Sequence, residues 1–273
     1  MNAICPSRRL QDRSSQVAQA WCRGRGVLGT PGLLGVFAAL ALIAVMVVPA
    51  LARAADGPTR AVSRIGIVGA GKMGGTLAKL WSQAGYHVMI SSRHPDELRS
   101  LANSLGPNVS VGTPEQAASY GNVVVISVPY GAEPQVGQEL ASQLDHKVVI
   151  DLGNPYPERD GPMAEQARRE GTGVASARFF PHVRLVRAFN AITFRDLADD
   201  AHRAGEPVAI PIASDDAQAT RIVERLVRAA GYAPVVVGGL SSAKEFDVGT
   251  PVYVKPMSAA QLRKALGLPE HPD

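Results

Sequence analysis

The segment Ile65-Gly66-Ile67-Val68-Gly69-Ala70-Gly71-Lys72-Met73-Gly74-Gly75 joins an apolar run to a G-x-G-x-x-G motif. The residues that follow, Thr76–Trp81, carry apolar side chains at the i, i+3, i+4 spacing of an amphipathic helix. A strand, a glycine-rich turn and a helix in this order predict the opening unit of a parallel α/β sheet.

The glycines of this motif have separate expected roles. Gly69 permits a tight turn, Gly71 lets the backbone approach an anionic ligand, and Gly74 allows the helix to pack closely on the strand. A helix N-terminus also offers free N–H groups and a partial positive charge. A plain strand–helix connection is the alternative, but the position between a strand and a helix favours a dinucleotide site. Its predicted phosphate-binding residues are Gly69, Ala70, Gly71, Lys72, Met73 and Gly74.

The end of the second predicted strand indicates which dinucleotide is bound. Tyr86–Ile90 reads as a strand and is followed by Ser91-Ser92-Arg93, with no acidic residue before Asp96. An NAD site usually has Asp or Glu here, to accept hydrogen bonds from the ribose 2′-hydroxyl. Two hydroxyls and a guanidinium suit a 2′-phosphate instead. An ordinary polar loop is the alternative, and NADP is the predicted cofactor.

The N-terminal residues 1–54 predict a signal peptide or membrane anchor. Five arginines precede a stretch, residues 27–52, that carries no charge, and its apolar part runs from Leu33 to Val48 with one interruption at Gly35. The small-residue patterns Ala50-Leu51-Ala52 and Ala52-Arg53-Ala54 follow. This order is typical of a secretory signal peptide, and the run is nearly long enough to span a bilayer. A periplasmic or otherwise exported protein is expected, with a membrane-anchored domain outside the cytoplasm as the alternative.

Charge and cysteine content exclude several function classes for the remaining chain. Residues 1–54 hold six of the 28 Lys and Arg residues and one of the 24 Asp and Glu residues, which leaves 22 basic and 23 acidic residues. A nearly neutral domain argues against nucleic-acid binding, and membrane contact is expected only through the N-terminal segment. Both cysteines, Cys5 and Cys22, lie in that segment, so no disulfide or thiolate site is expected beyond it.

Downstream, β-branched runs alternate with helical stretches, which predicts a mostly parallel sheet with helices on both faces. The further predicted strands are Asn122–Val128, Lys147–Asp151, Arg184–Asn190, Pro207–Ala213 and Pro234–Val237. The predicted helices include Pro95–Leu105, Glu133–Leu144 and Ala217–Ala230. The last two strands with the helix between them predict one more β-α-β unit.

Ligands of open α/β sheets bind outside the carboxyl ends of the strands. Three strand ends with polar groups are expected to meet at this edge and to contribute Ser127, Val128, Pro129, Tyr130, Asn154 and Asn190. Each of these residues alone could be a turn, cap or packing residue, but together at one edge they predict a site. The six histidines show no ligand spacing, and neither a metal site nor a catalytic constellation is predicted.

The chain resembles the coenzyme F420-dependent NADP oxidoreductase family and the related nucleotide-binding domain of STEAP metalloreductases. The matching residues are Gly69–Gly74, Ser91–Arg93, Val124–Tyr130, Val148–Pro155, Val186–Asn190 and Phe246–Tyr253. The resemblance covers about residues 62–268. It implies an α/β, Rossmann-like doubly wound fold, a single compact domain over residues 60–268. It also implies that Ser92 and Arg93 hold the 2′-phosphate, that Tyr130 and Pro134 lie beside the cofactor, and that Asn190 lies near the nicotinamide.

The resemblance implies an NADPH-dependent oxidoreductase that exchanges hydride with a flavin-like, deazaflavin (F420) or metal-chelate acceptor. The chain departs from this family in its predicted export, which leaves the acceptor open. The alternative is an NADP-binding scaffold or partner protein of an electron-transfer complex without independent turnover. The oligomeric state also stays open, with a homodimer as the candidate.

Overall fold

The structure, a computed structural model, describes residues 62–270, and the predicted leader at residues 1–54 lies outside them. Its strands are β1 (Arg64–Val68), β2 (His87–Ser91), β3 (Val109–Gly112), β4 (Val123–Ile126), β5 (Val148–Asp151), β6 (Arg184–Arg187), β7 (Ala209–Ala213) and β8 (Ala233–Gly238). They form one sheet in the order β3-β2-β1-β4-β5-β6-β7-β8. All neighbouring strands are parallel except β6 and β7. The Rossmann-like, mostly parallel sheet is as predicted.

Helices flank this sheet. They are α1 (Lys72–Gln83), α2 (Arg99–Leu105), α3 (Pro114–Tyr120), α4 (Glu133–Glu139), α5 (Ala141–Leu144), α6 (Pro157–Asp160), α7 (Pro162–Glu170), α8 (Thr172–Ala177), α9 (Phe194–Asp199), α10 (Ala217–Ala229) and α11 (Ala259–Ala265). Three 3-10 helices span Pro95–Leu98, Tyr130–Ala132 and Leu240–Phe246. Among residues 62–270, none of the helices combines the length and the apolar character needed to cross a bilayer.

The central strands are apolar along their whole length because helices cover both faces of the sheet. Every residue of β4 and β5 is buried. Helix α1 buries one face, which includes Leu77 and Trp81, against the sheet. The periodicity after the glycine motif therefore predicts this helix correctly.

One core extends beneath the N-terminal and C-terminal parts of the sheet. The Trp81 indole Nε1 of α1 donates a hydrogen bond of 2.9 Å to the Leu226 carbonyl of α10. The same ring meets Phe189 edge to face, with 5.9 Å between ring centroids. The β7-α10-β8 unit, whose two strands are parallel as predicted, therefore packs on the same core as the glycine motif.

Three elements differ from the prediction in ways that affect the site. The predicted helix Glu133–Leu144 is broken into α4 and α5 at Leu140, where the backbone leaves helical geometry (φ −101°, ψ 10°). The predicted helix Pro95–Leu105 begins as a 3-10 turn. The predicted strand Arg184–Asn190 ends at Arg187, because Phe189 takes a left-handed backbone conformation with φ 61° that no strand can continue. The segment after β6 therefore turns over the sheet edge.

Candidate functional site

The glycine turn after β1 shows a different physical reason for each glycine. Gly69 has φ +98°, and a Cβ there would lie 2.5 Å from the Ser127 carbonyl oxygen. A Cβ on Gly74 would lie 2.2 Å from the Gly69 carbonyl oxygen. At Gly71, in contrast, no atom lies within 4 Å of where a Cβ would be. Gly69 and Gly74 are therefore required by the packing of the protein, whereas Gly71 borders open space that a ligand can enter.

The N-terminus of α1 faces this open space. Gly71 is the N-cap residue, no side chain caps the helix, and the first turn contains no acidic residue. The first helical residue is Lys72, which is exposed. Uncapped N–H groups, the helix dipole and an ammonium group together favour a bound anion.

A cavity of about 410 Å³ lies on one side of the turn, toward the end of β2. Much of its wall is apolar and can pack against a planar base. Its lining residues include Val68, Leu98, Pro114, Val128, Val136 and Leu140. Ser92 and Arg93 provide the polar groups at the β2 end of this cavity. Ser92 and Arg93 could contact a 2′-phosphate here, and its binding at this place stays a prediction.

Arg93 is exposed, and no ion pair engages it within the part of the chain that the structure describes. Asp96, the first acidic residue after β2, instead binds Arg99 at 2.7 Å. Ser92 Oγ accepts a hydrogen bond of 3.1 Å from the His94 N–H and keeps its own proton free to donate. Arg93 and Ser92 are therefore available to an anionic ligand.

Ser91 does not share the role of Ser92, although both hydroxyls are predicted to contact the 2′-phosphate. Its side chain is fully buried, and its hydroxyl donates a hydrogen bond of 2.9 Å to the Ile67 carbonyl. Ser91 also accepts the Ala70 N–H on its own carbonyl at 3.2 Å. Ser91 thus borders the cavity and fixes the glycine turn, but its hydroxyl proton is already used within the protein.

A second cavity, of about 540 Å³, lies on the other side of the turn, above the carboxyl ends of β4, β5 and β6. It shares Gly71, Val128 and Pro129 with the first cavity. Its other lining residues are Lys72, Met73, Ser127, Leu152, Gly153, Asn154, Tyr156, Arg159, Ile192, Thr193, Phe194, Tyr253 and Val254. The two cavities therefore form one groove that passes over Gly71.

The structure brings most of the predicted residues to this groove, but Gly74, Tyr130, Pro134 and Asn190 line neither of its cavities. Ser127, Val128, Pro129 and Asn154 line the second cavity. The Tyr130 side chain is 0% exposed and packs against Phe179 in the interior, with 5.8 Å between ring centroids. Pro134 lies in the first turn of α4 and lines neither cavity. The structure therefore does not place these two side chains in the groove, and the position of Tyr130 and Pro134 beside a cofactor stays a prediction.

Asn190 lies just beneath the second cavity. Its carbonyl accepts a hydrogen bond of 2.8 Å from Asn154 Nδ2. Its own side chain is 2% exposed, and neither the oxygen nor the nitrogen of its amide has a partner among the described residues. The Asn154 oxygen Oδ1 is buried and unpartnered as well. Because buried amides normally form hydrogen bonds, these orphaned groups are consistent with polar contacts that a ligand completes.

Several residues of the second cavity are absent from the sequence prediction. Tyr156, Arg159 and Phe194 follow strand ends, where position alone indicates a site but does not say which side chain points inward. Tyr253 belongs to the Phe246–Tyr253 segment and is separated from the β5 end by about a hundred residues. Its hydroxyl accepts a hydrogen bond of 3.3 Å from Asn154 Nδ2.

A buried ionic cluster supports the floor of the site. Arg187, at the end of β6, is fully buried, with its Nη1 2.6 Å from Asp151 Oδ2 at the end of β5. Its Nη2 donates to the Gly153 carbonyl at 2.7 Å and lies 3.9 Å from Asp247 Oδ1. Although burial lowers the pKa of Arg187, the neighbouring carboxylates more than offset this effect and raise it above the ordinary value. A charged Arg187 therefore joins two strand ends to the C-terminal segment.

Glu133 completes this cluster from α4. Its Oε1 lies so close to Gly153 that a Cβ on that glycine would be 1.6 Å from it. Burial, and next the negative charge of Asp151, raise the pKa of Glu133 well above its ordinary value. The raised pKa favours the protonated form of Glu133, and its Oε2 accepts a hydrogen bond of 3.3 Å from Ser176. The Leu152–Asn154 loop thus rests on a packed polar layer.

Two strained backbone positions lie at the same site. Phe189 (φ 61°) and Val254 (φ 49°) adopt left-handed conformations that bulky residues rarely occupy. Phe189 directly precedes Asn190, and Val254 lines the second cavity. The Val254 N–H donates to the Ala191 carbonyl at 3.0 Å, which holds the two strained segments together. Such strain is typical of functional sites.

Comparisons with known proteins agree with the family resemblance predicted from the sequence. Residues 64–155 match the family described as NADP oxidoreductase, coenzyme F420-dependent. The F420-dependent NADP reductase of Methanothermobacter thermautotrophicus is 28% identical over 209 residues, which cover 71% of this chain and 88% of that protein. Metalloreductase STEAP3 of Rattus norvegicus is 29% identical over 205 residues, which cover 75% of this chain.

The matched region spans only 40% of the length of that metalloreductase. Among solved structures, a proposed F420-dependent NADP reductase from Arthrobacter sp. FB24 superimposes with a TM-score of 0.60 at 22% sequence identity. The match covers 76% of this chain and 96% of the other, and it supports the fold alone. The resemblance drawn from the sequence is confirmed: the chain is related to the coenzyme F420-dependent NADP oxidoreductases, and residues 64–155 carry the domain of that family.

Proposed function

We propose that this chain is an NADPH-dependent oxidoreductase that passes a hydride to a flavin-like, deazaflavin or metal-chelate acceptor. The observation that carries the proposal is the continuous groove over Gly71. At one end of the groove Arg93 has no counterion among the described residues, and the helix N-terminus lies in the middle. At the other end a separate cavity provides room for a second reactant.

The residues of the groove fit NADP in three respects. The space above Gly71 accommodates a pyrophosphate that accepts hydrogen bonds from the first turn of α1. Ser92 and Arg93 suit a 2′-phosphate, and the acidic residue that lines their cavity, Glu139, comes from α4 and not from the end of β2. The unpartnered Oδ1 of Asn154 and the unpartnered amide of Asn190 suit the carboxamide of a nicotinamide. When bound, this cofactor supplies the hydride, so the protein mainly orients the reactants and excludes water.

The names of the relatives support the class of acceptor. One is a metalloreductase and another an F420-dependent NADP reductase, so the candidates are a metal chelate and a deazaflavin, to which we add flavins. The second cavity has a volume of about 540 Å³, which lies within the usual range for small-molecule sites. Tyr156, Phe194 and Tyr253 provide aromatic walls that can contact a planar ring system.

The test measures binding and turnover separately. Calorimetric titration with NADPH and NADH gives the preference for the cofactor. Steady-state NADPH oxidation with a 5-deazaflavin, FMN and a ferric chelate gives the acceptor. We expect a preference for NADPH and turnover with at least one acceptor. Tight NADPH binding without oxidation by any of them would favour the scaffold function instead, and no binding of either nucleotide would overturn both.

A further inference from the structure

Two tyrosine hydroxyls meet on the wall of the second cavity. Tyr156, in the loop after β5, and Tyr253, from the C-terminal segment, are 97 residues apart in the chain, yet their hydroxyl oxygens are 2.5 Å apart. Both side chains line the cavity. Asn154 Nδ2 donates to the Tyr253 hydroxyl at 3.3 Å and to the Asn190 carbonyl at 2.8 Å. These groups form one hydrogen-bonded chain from the cavity wall to the end of β6.

Either hydroxyl of the tyrosine pair can be the donor, and one of the two arrangements leaves the Tyr156 proton free. The Asn154 amide nitrogen can only donate, so the Tyr253 oxygen is an acceptor there. Burial, and next the hydrogen bond to Tyr156, raise the pKa of Tyr253 above its ordinary value, so Tyr253 keeps its proton. When Tyr253 donates that proton to Tyr156, the Tyr156 O–H is left to donate into the cavity.

A cation stands beside Tyr156. The Arg159 guanidinium carbon lies 5.1 Å from the centroid of the Tyr156 ring. Arg159 is fixed there by Asp160, at 2.7 Å, and by the Asn154 carbonyl, at 2.8 Å. Asp160 also accepts the Tyr156 N–H at 2.9 Å and the Gly131 N–H at 3.1 Å. A fixed positive charge and the Tyr253 O–H would both stabilise negative charge that develops on the Tyr156 oxygen.

We propose that Tyr156 is the proton donor to the electron acceptor, with Tyr253 and Arg159 stabilising the phenolate that the transfer leaves behind. This inference rests on the proposed function. For a flavin or deazaflavin acceptor, the overall reaction is NADPH + acceptor + H⁺ → NADP⁺ + reduced acceptor. The acceptor gains a hydride at one atom and the proton of the Tyr156 hydroxyl at another, so the Tyr156 O–H bond breaks as the new bond to the acceptor forms. Water returns the proton to Tyr156 after each turnover.

The test compares Tyr156→Phe and Tyr253→Phe with Tyr120→Phe as the matched control. Tyr120 lies on α3, outside the second cavity, and also carries an arginine over its ring, with the Arg64 guanidinium carbon 5.4 Å from the ring centroid. For each variant, NADPH affinity is measured by calorimetry, and kcat is measured with FMN and a 5-deazaflavin at saturating NADPH. We expect kcat of Tyr156→Phe to fall by about 10²-fold with unchanged NADPH affinity. Tyr253→Phe should show a smaller loss, and the control should show none.

Chemical rescue distinguishes a proton donor from a merely structural residue. Small general acids such as imidazolium should raise kcat of Tyr156→Phe in proportion to their concentration and leave the wild type unchanged. An active wild type with an equally active Tyr156→Phe variant, or a loss that no added acid rescues, would overturn this proposal alone. A wild type that binds NADPH but reduces no acceptor would overturn it together with the proposed function.

Discussion

Arg93 is the side chain that distinguishes the two nicotinamide cofactors. It lies at the end of β2 beside the first cavity, and no counterion of its own engages it among the described residues. A 2′-phosphate would supply that counterion, and NADH has none to offer. We therefore expect Arg93→Ala to weaken NADPH binding by roughly ten- to a hundredfold, at about 1.5–3 kcal/mol for a charge-assisted contact, and to leave NADH binding unchanged.

Arg99→Ala is the matched control for this titration. Arg99 lies six residues further along the chain, is exposed and pairs with Asp96 at 2.7 Å. It carries the same charge but does not line the first cavity. Equal losses for NADPH and NADH in Arg93→Ala would mean that Arg93 supports the loop rather than the phosphate. A wild type that prefers NADH would contradict the assignment of NADP.

The glycines of the turn should respond differently to an added side chain. A Cβ on Gly71 meets no atom within 4 Å, whereas one on Gly74 would lie 2.2 Å from the Gly69 carbonyl oxygen. We expect Gly71→Val to keep the fold and to reduce NADPH affinity by more than tenfold, or about 1.4 kcal/mol, because the side chain fills the space for the pyrophosphate. Gly74→Ala should instead lower the free energy of unfolding. Thermal unfolding measures the stability of both variants, and calorimetry measures their NADPH affinity. Unchanged NADPH affinity in Gly71→Val would contradict the proposed site.

The glycine motif after β1 can be recognised from the sequence because the contacts that require its glycines are local. Gly69 and Gly74 are fixed by contacts within a few residues of the turn or with one neighbouring strand. The role of Ser91 cannot be predicted from the sequence, because two adjacent serines are equivalent there. Only the pleat of β2 directs the Ser91 hydroxyl to the Ile67 carbonyl. The burial of Tyr130 depends in the same way on a 3-10 turn that the apolar pattern does not predict.

Among the elements, the ends of β5, β6 and α4 are joined by charges buried beneath the site. Asp151 is the nearest counterion of Arg187, at 2.6 Å, and Asp247 lies farther away at 3.9 Å. We expect Asp151→Asn to lower the free energy of unfolding by about 3–5 kcal/mol, because it leaves a buried guanidinium without its closest partner. Denaturant unfolding measures the loss. A change as small as that of an exposed ion pair would contradict the account of the cluster.

Glu133→Gln is a milder change in the same cluster, and its effect on the free energy of unfolding should depend on pH. Burial and the charge of Asp151 raise the pKa of Glu133 in the folded state, so the folded protein holds a proton that the unfolded chain releases. The stabilising contribution of Glu133 is full below its unfolded pKa and is lost as pH rises toward the folded value. Denaturant unfolding between about pH 5 and about pH 8 should show wild-type stability falling relative to that of Glu133→Gln. Parallel curves would mean that Glu133 is ionised in the folded protein.

The strand order and parallel direction could be predicted because the buried strands are continuous apolar runs separated by helical patterns. The residues that line the acceptor side of the site could not be predicted in this way. Tyr156 and Tyr253 are 97 residues apart. The C-terminal segment that carries Tyr253 is held in place by long-range contacts such as the Arg187–Asp247 ion pair. Long-range contacts of this kind leave no periodic trace in the sequence.

Residues 1–54 are predicted to determine where the protein works, and they lie outside the described residues. They hold both cysteines and six of the 28 Lys and Arg residues, and their basic–apolar–small-residue order predicts export. We propose that the oxidoreductase domain works outside the cytoplasm, either after cleavage or held by the apolar run. N-terminal sequencing of the protein from fractionated cells tests this. Ala52 belongs to both small-residue patterns, so Ala52→Tyr should block cleavage and retain the longer chain if the leader is a signal peptide. If the leader is an anchor, wild type and variant should both give the same uncleaved chain in the membrane fraction. An intact Met1 chain in the soluble cytoplasm would contradict export in either form.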